Sequence, residues 1–114
     1  MEAVRIKICG STNIYDAAIS VEAGADALGF VFWEKSPRAI RVKEAGDIIS
    51  KLPPFISTVG VFVNEDPDRI NSIVKDAGLS VVQLHGDEGP EVSTRISAKV
   101  IKAFRIRDIR DIKG

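Results

Sequence analysis

Short β-branched apolar runs alternate along this chain with segments of helical period, and that alternation most narrows what it can fold into. The runs lie near Arg5 to Ile8, Ala27 to Phe32, Ser57 to Val63, Ser80 to Leu84 and Val100 to Phe104. Between them, Ile14, Ala17, Ala18 and Val21 fall at i, i+3, i+4 and i+7, as do Ile70, Ile73, Val74 and Ala77. Each set lays an apolar stripe along one face of a helix. Val42 to Leu52 and Pro90 to Ile96 are weaker segments of the same kind. Strands exchanged with helices in this way are joined by crossovers, so the sheet is expected to be parallel and the class α/β.

Local signals mark the helix ends. Thr12 or Asn13 can cap the first helix, and Asp66 followed by Pro67 places a cap and a first-turn proline on the third. Gly24 and Gly78 stand where helix C-caps belong. Strands recur at spacings of roughly 20 to 30 residues, enough for a βα unit and too short for an inserted domain. One domain over residues 1–114 is expected, with no linker or low-complexity stretch.

Two folds use this repeat, the closed (β/α)₈ barrel and the open doubly wound sheet. A dinucleotide-binding sheet would place a G-x-G-x-x-G turn after its first strand, whereas this first strand runs into Cys9-Gly10-Ser11-Thr12. The barrel is therefore favoured. Such barrels typically need about 200 residues or more, so 114 residues imply an incomplete TIM barrel of about five βα units.

Sixteen basic residues balance sixteen acidic ones, so no net field recruits nucleic acid or an anionic membrane surface. Apolar stretches such as Ala27 to Trp33 fall far below the roughly 20 residues of a membrane span. The first residues show no secretory signal pattern, and the lone Cys9 suits a reducing compartment, so a cytoplasmic setting is expected.

In a (β/α)₈ barrel the chemistry is carried at the C-terminal strand ends. Those positions hold Cys9, Trp33 to Arg38, Asn64, His85 to Glu88 and Arg105, a succession of polar or reactive groups that a purely structural repeat would not need. At these residues the chain resembles the phosphoribosylanthranilate isomerases. The resemblance rests on Lys7-Ile8-Cys9-Gly10, Gly24-Ala25-Asp26-Ala27-Leu28-Gly29-Phe30-Val31-Phe32, Ser36-Pro37-Arg38, Val59-Gly60-Val61-Phe62-Val63-Asn64, Gln83-Leu84-His85-Gly86-Asp87-Glu88 and Val100-Ile101-Lys102-Ala103-Phe104, in family order and spacing from strand 1 to strand 5. Ser11 departs from the family, which often has an apolar residue there.

The resemblance implies an Amadori rearrangement of N-(5-phosphoribosyl)anthranilate to 1-(2-carboxyphenylamino)-1-deoxyribulose 5-phosphate, a step of tryptophan biosynthesis, with neither cofactor nor metal. Ring opening needs an acid at the furanose oxygen, and the next step needs a base at the sugar C2. The family's base is the cysteine of K-x-C-G, here Cys9. A lone cysteine is ordinarily a small buried apolar residue, but its place at a strand end within that motif favours chemistry. Period-2 alternation puts Lys7 on the same strand face, a candidate to support the thiolate. By resemblance Arg38 holds the anthranilate carboxylate through its planar fork, and Gly29 and Phe32 leave space for and stack near the aromatic ring. His85, the only histidine, is assigned to the pocket wall or to orienting a neighbour. Asp87 and Glu88 are expected to cap the following helix.

The family's general acid ends strand 6 and its phosphate is held by glycine-rich loops after strands 7 and 8, so the resemblance implies that both lie outside this sequence. Asp108 and Asp111 stand at helix-start positions after strand 5 and are not carried over as the acid. The preferred reading is a portion of a complete isomerase that binds a small phosphosugar-anthranilate. The alternative is a non-catalytic half-barrel that self-associates or needs complementation by the missing C-terminal portion. Related phosphosugar barrels lack the strand 1 cysteine.

Overall fold

The computed structural model describes the backbone of residues 7–102 and the side chains of residues 10–102. Its elements run β1 (Lys7–Cys9), α1 (Ile14–Glu22), β2 (Ala27–Val31), α2 (Val42–Ser50), β3 (Ser57–Phe62), α3 (Pro67–Ala77), β4 (Val81–Leu84), α4 (Pro90–Thr94) and β5 (Lys99–Lys102). The start of the first expected strand at Arg5 and the end of the fifth at Phe104, with Arg105, Asp108 and Asp111 beyond it, lie outside the described residues.

All five strands are parallel and pair in sequence order, β1-β2-β3-β4-β5. Among the described residues the order never reverses, so they contain no switch point of the doubly wound kind. Register separates the two faces. Leu28 aligns with Thr58, Phe30 with Gly60, Gly60 in turn with Val82, and Phe62 with Leu84. Leu28, Phe30, Phe62, Val82 and Leu84 are fully buried and share one core with Ala17, Ala45, Ile48, Ile70, Ile73 and Ala77 of α1, α2 and α3. The other parity, Gly29, Val31, Val59, Val61 and Gln83, forms the opposite, inner face. Helices on one face of a sequentially ordered parallel sheet make an arc of a (β/α)₈ barrel, as expected. Fully burying each large apolar side chain of this core is worth about 1.5–3 kcal/mol. The inner face is not wholly solvated either: Val59 and Val61 are buried, while Ile101 is half exposed.

Asn13, of the two candidates, caps α1: its Oδ1 accepts from Asp16 N at 2.9 Å. Asp66 caps α3 ahead of Pro67, and Gly78 closes it at φ 82°. Gly24 differs from its expected place, because Ala23 is the C-cap of α1 and Gly24 follows in the left-handed region at φ 100°. α2 stops at Ser50 short of Leu52, just ahead of Pro53, which disfavours helical geometry in the residue before it. α4 ends at Thr94 rather than Ile96, since Asn71 of α3 takes over the next backbone groups. Its Nδ2 donates to Arg95 O at 2.8 Å and its Oδ1 accepts from Ser97 N at 2.9 Å. No helix among the described residues is long and apolar enough to cross a membrane.

Gly60 on β3 is a close-packing position. A Cβ there would stand 2.4 Å from Leu79 Cδ1 and 2.9 Å from Phe62 Cε2. Gly60→Ala is expected to destabilise the fold by about 1–3 kcal/mol through overpacking, read as a lower urea midpoint at unchanged slope. A midpoint at or above wild type would show that the core has slack at this point.

Candidate active site

Parallel strands in sequence order bring every C-terminal strand end to one rim of the arc. At the β1 end, Cys9 aligns with Gly29 of β2. The next two amides, Gly10 N and Ser11 N, both donate to Gly29 O, at 2.9 and 3.2 Å. The end of β1 is thereby tied to the middle of β2, and the turn is closed by Gly10 at φ 85°, a conformation that favours glycine. The side chains of Lys7 and Cys9 lie outside the described residues; the structure places their backbone on β1.

The loop after β2 folds on Ser36. Ser36 N donates to Trp33 O at 3.0 Å, Ser36 Oγ accepts from Arg38 N at 3.1 Å, and Ile40 N returns to Val31 O at 2.9 Å. This brings Arg38 back across β1. A Cβ on Gly10 would stand 2.5 Å from Arg38 Cδ and 3.2 Å from Nη1, so the guanidinium passes directly over the residue that follows Cys9. Glycine is required there both for its φ and for the passage of Arg38. A cavity of about 440 Å³ opens at the crossing, lined by Gly10, Ser11, Pro37 and Arg38 and by Asp16 and Ile19 of α1. Ser11 is buried, and its hydroxyl has no hydrogen-bond partner among the described residues.

Gly29 is buried in the middle of β2, beside the end of β1. Phe32 stacks on Phe62, with centroids 5.3 Å apart and planes at 17°, and also lines a shallow depression with Trp33, Lys35 and Val63. His85 is half-buried, its N–H donating to Phe62 O at 2.9 Å, and follows Gln83 on the inner-face parity. The structure thus brings Cys9, Gly29 and Arg38 to one corner of the rim, with His85 two strands further on.

Glu88 corrects the capping expectation. The N-cap of α4 is Gly89, with no side-chain cap bond. Glu88 instead turns inward: its side chain is 2% exposed, Oε2 accepts from Asn64 N at 2.7 Å, and Oε1 accepts from Gly86 N and Lys102 Nζ, each at 2.8 Å. Lys102 Nζ also donates to Gly86 O. Asn64, at φ 51°, completes the knot by accepting from Asp87 N at 2.9 Å through Oδ1. Burial alone would push the Glu88 carboxyl up, but the Lys102 ammonium and the Asn64 and Gly86 amides outweigh it and hold it below the usual carboxylate range. Sequence reasoning did not single out Lys102; a charged residue ending the apolar run Val100-Ile101 was the available signal.

The family model described as N-(5'phosphoribosyl)anthranilate (PRA) isomerase matches residues 6–113. The N-(5'-phosphoribosyl)anthranilate isomerase of Geobacter sulfurreducens is 53% identical over 109 residues, covering 96% of this chain and 54% of its own. That of Pelobacter propionicus is 52% identical over 105 residues, covering 92% and 50%. Among solved structures, the phosphoribosyl anthranilate isomerase of Thermotoga maritima superimposes with a TM-score of 0.92 at 49% identity, covering 97% of this chain and 55% of that one. Another, of a phosphoribosyl anthranilate isomerase in complex with reduced 1-(o-carboxyphenylamino)-1-deoxyribulose 5-phosphate, gives 0.91 at 49% identity, covering 97% and 58%. The chain spans about half the length of the curated relatives it matches.

The depressed Glu88 carboxyl sets a pH dependence. A carboxyl that ionises more readily folded than unfolded adds stability above its unfolded pKa, about 4.3, and loses it as pH falls through the lower folded value. The stability gap between wild type and Glu88→Gln is therefore expected to be full at neutral pH and to narrow as pH falls below about 4.3. Denaturant titrations of both proteins across that range check it, and an equal gap throughout would mean that Glu88 charge does not support the knot.

Proposed function

Because the chain belongs to the N-(5'-phosphoribosyl)anthranilate isomerase family, we propose that it forms the β1 to β5 part of an enzyme that converts N-(5-phosphoribosyl)anthranilate to 1-(2-carboxyphenylamino)-1-deoxyribulose 5-phosphate in cytoplasmic tryptophan biosynthesis. The passage of Arg38 over Gly10, next to Cys9, carries this reading. A substrate with a carboxylate at one end and a reacting sugar carbon beside it needs a cation and a base at that separation. The ligand named in the relative's complex has the same carboxyphenylamino group joined to a sugar phosphate.

In this mechanism an acid protonates the furanose oxygen and the ring opens to an iminium. Cys9 thiolate then takes the C2 proton, giving an enolamine that tautomerises to the aminoketose. The rearrangement is redox-neutral, so proton transfer suffices. Lys7, two residues before Cys9 on β1, favours the thiolate as a neighbouring cation. Arg38 pairs with the anthranilate carboxylate through two parallel N–H donors. Gly29, opposite Cys9, leaves room for the aromatic ring and His85 lines the far side, while Phe32, stacked on Phe62 and packed against the helix-side core, supports the sheet from behind.

Two substitutions in the complete enzyme separate these roles. Cys9→Ala is expected to lower kcat by on the order of 10²-fold or more with little change in substrate affinity, since a base acts only on the proton being moved. Arg38→Ala is expected to weaken a carboxyphenylamino product analogue by roughly 1.5–3 kcal/mol, the worth of a charge-assisted hydrogen bond. Steady-state kinetics and calorimetry read the two. A Cys9→Ala enzyme within a few-fold of wild-type turnover would remove the thiol from the mechanism, and unchanged analogue affinity in Arg38→Ala would place the carboxylate elsewhere.

For the 114-residue chain alone we propose no isomerase activity, together with self-association or complementation by a C-terminal half-barrel. Among the described residues β1 and β5 each pair on one side only, and Ile101 on the inner face is half exposed. Unpaired edges of this kind recruit further strands. Sedimentation of the purified chain alongside an activity assay is expected to show species above monomer mass and no turnover; an active monomer would refute both parts.

A further inference from the structure

Three strand ends at the rim meet in one charged knot that the proposed chemistry does not itself use. Glu88 reaches across to Asn64 N after β3, back to Gly86 N after β4, and to Lys102 Nζ at the end of β5. Lys102 closes the loop on Gly86 O. A Cβ on Gly86 would stand 2.7 Å from Asn64 Oδ1, so the two loops are in direct contact. A buried carboxylate is costly unless its oxygens are satisfied, and here one ammonium and two backbone amides satisfy it. Such an arrangement tolerates little displacement, because moving any one segment strands a charge or an amide of the other two.

His85 lies within this knot by chain connectivity, between Leu84 of β4 and Gly86. Its backbone amide is already committed to Phe62 O of β3. With both flanks held, the direction in which the residue leaves the rim is determined by the pair that fixes Gly86. We infer that Glu88 and Lys102 are positioning residues of the rim, holding the β3 and β4 loops and His85 in the arrangement that the rearrangement requires, without touching substrate themselves. This rests on the isomerase reading above.

The test uses the full-length enzyme with Glu88→Gln, Lys102→Met, their combination and Lys102→Arg, each assayed well below its unfolding temperature. Each of the first two is expected to lower kcat/KM about tenfold or more, mainly in kcat, as misplaced reacting groups do. The double variant is expected to be no worse than the poorer single, because the pair acts as one unit. Lys102→Arg, which keeps the cation, is expected to stay within a few-fold of wild type. A lowered unfolding temperature with kcat/KM within about twofold of wild type, or additive losses in the double variant, would reduce the pair to a structural role and overturn the inference. Should Glu88→Gln fail to fold, the contrast of Lys102→Met with Lys102→Arg decides alone, equal turnover being the overturning result. Amide hydrogen exchange at Asn64 and Gly86 reads the pair apart from activity, with faster exchange in Lys102→Met expected and unchanged exchange overturning. Wild-type enzyme without isomerase activity would instead refute the isomerase reading, leaving exchange to decide whether the pair holds the loops.

Discussion

Parallel pairing of each strand with its successor is the constraint from which the rest follows. A crossover that returns to the same edge of a right-twisted sheet brings its helix to the same face each time. The strand parity of Leu28, Phe30, Phe62, Val82 and Leu84 is therefore committed to the helices, and the opposite parity to the inner face. The same topology brings all strand C-termini to one rim. Cys9 and Gly29 are brought opposite one another because Lys7 aligns with Ala27, and a slip of one residue between β1 and β2 would exchange the faces of either strand.

On that rim the loops are held by two different kinds of contact. Between β1 and β2 the contact is steric: Gly10 lacks the Cβ that would meet Arg38, and its amide and that of Ser11 converge on Gly29 O. Between β3, β4 and β5 it is electrostatic, through a carboxylate that gathers two amides and an ammonium. The steric corner leaves Arg38 exposed. The electrostatic corner has its charge already neutralised, which suits holding loops in place better than binding an anion.

What could be read in the sequence follows how local each cause is. Asp66, Pro67 and Gly78 act on the helix they bound, and both ends of α3 fall where they indicate. Apolar periodicity likewise found the face of α3, where Ile70, Ile73 and Ala77 are buried, but on α1 Ala17 is buried while Ala18 of the same expected stripe is exposed. Two of the misreadings come from partners far along the chain. α4 is shortened by Asn71, 26 residues from Ser97, and Glu88 leaves its helix for Asn64, 24 residues away, and Lys102, 14 away. A carboxylate ahead of a helix start reads as a cap from spacing alone, and only the folded arc brings competing amides within reach. At the candidate site, motif resemblance named Gly10 and Arg38 separately, but their contact across β1 and the β2 loop has no local signature.

The choice of a charged pair at the β3 to β5 corner has a physical argument of its own. Exchanging a buried ion pair for apolar residues of similar volume is often neutral or stabilising, so stability alone does not account for one. Here, however, Glu88 also accepts from two backbone amides, Asn64 N and Gly86 N. An apolar replacement would leave those amides without their acceptor, at a cost of about 1–3 kcal/mol for each that stays buried. A neutral acceptor such as glutamine offers one carbonyl oxygen where the carboxylate offers two, and it cannot engage Lys102 as an ion pair. Three segments must be joined at a point where β3 and β4 have given way to loops. A carboxylate with a lysine from the neighbouring strand meets that requirement with side chains already directed at the rim.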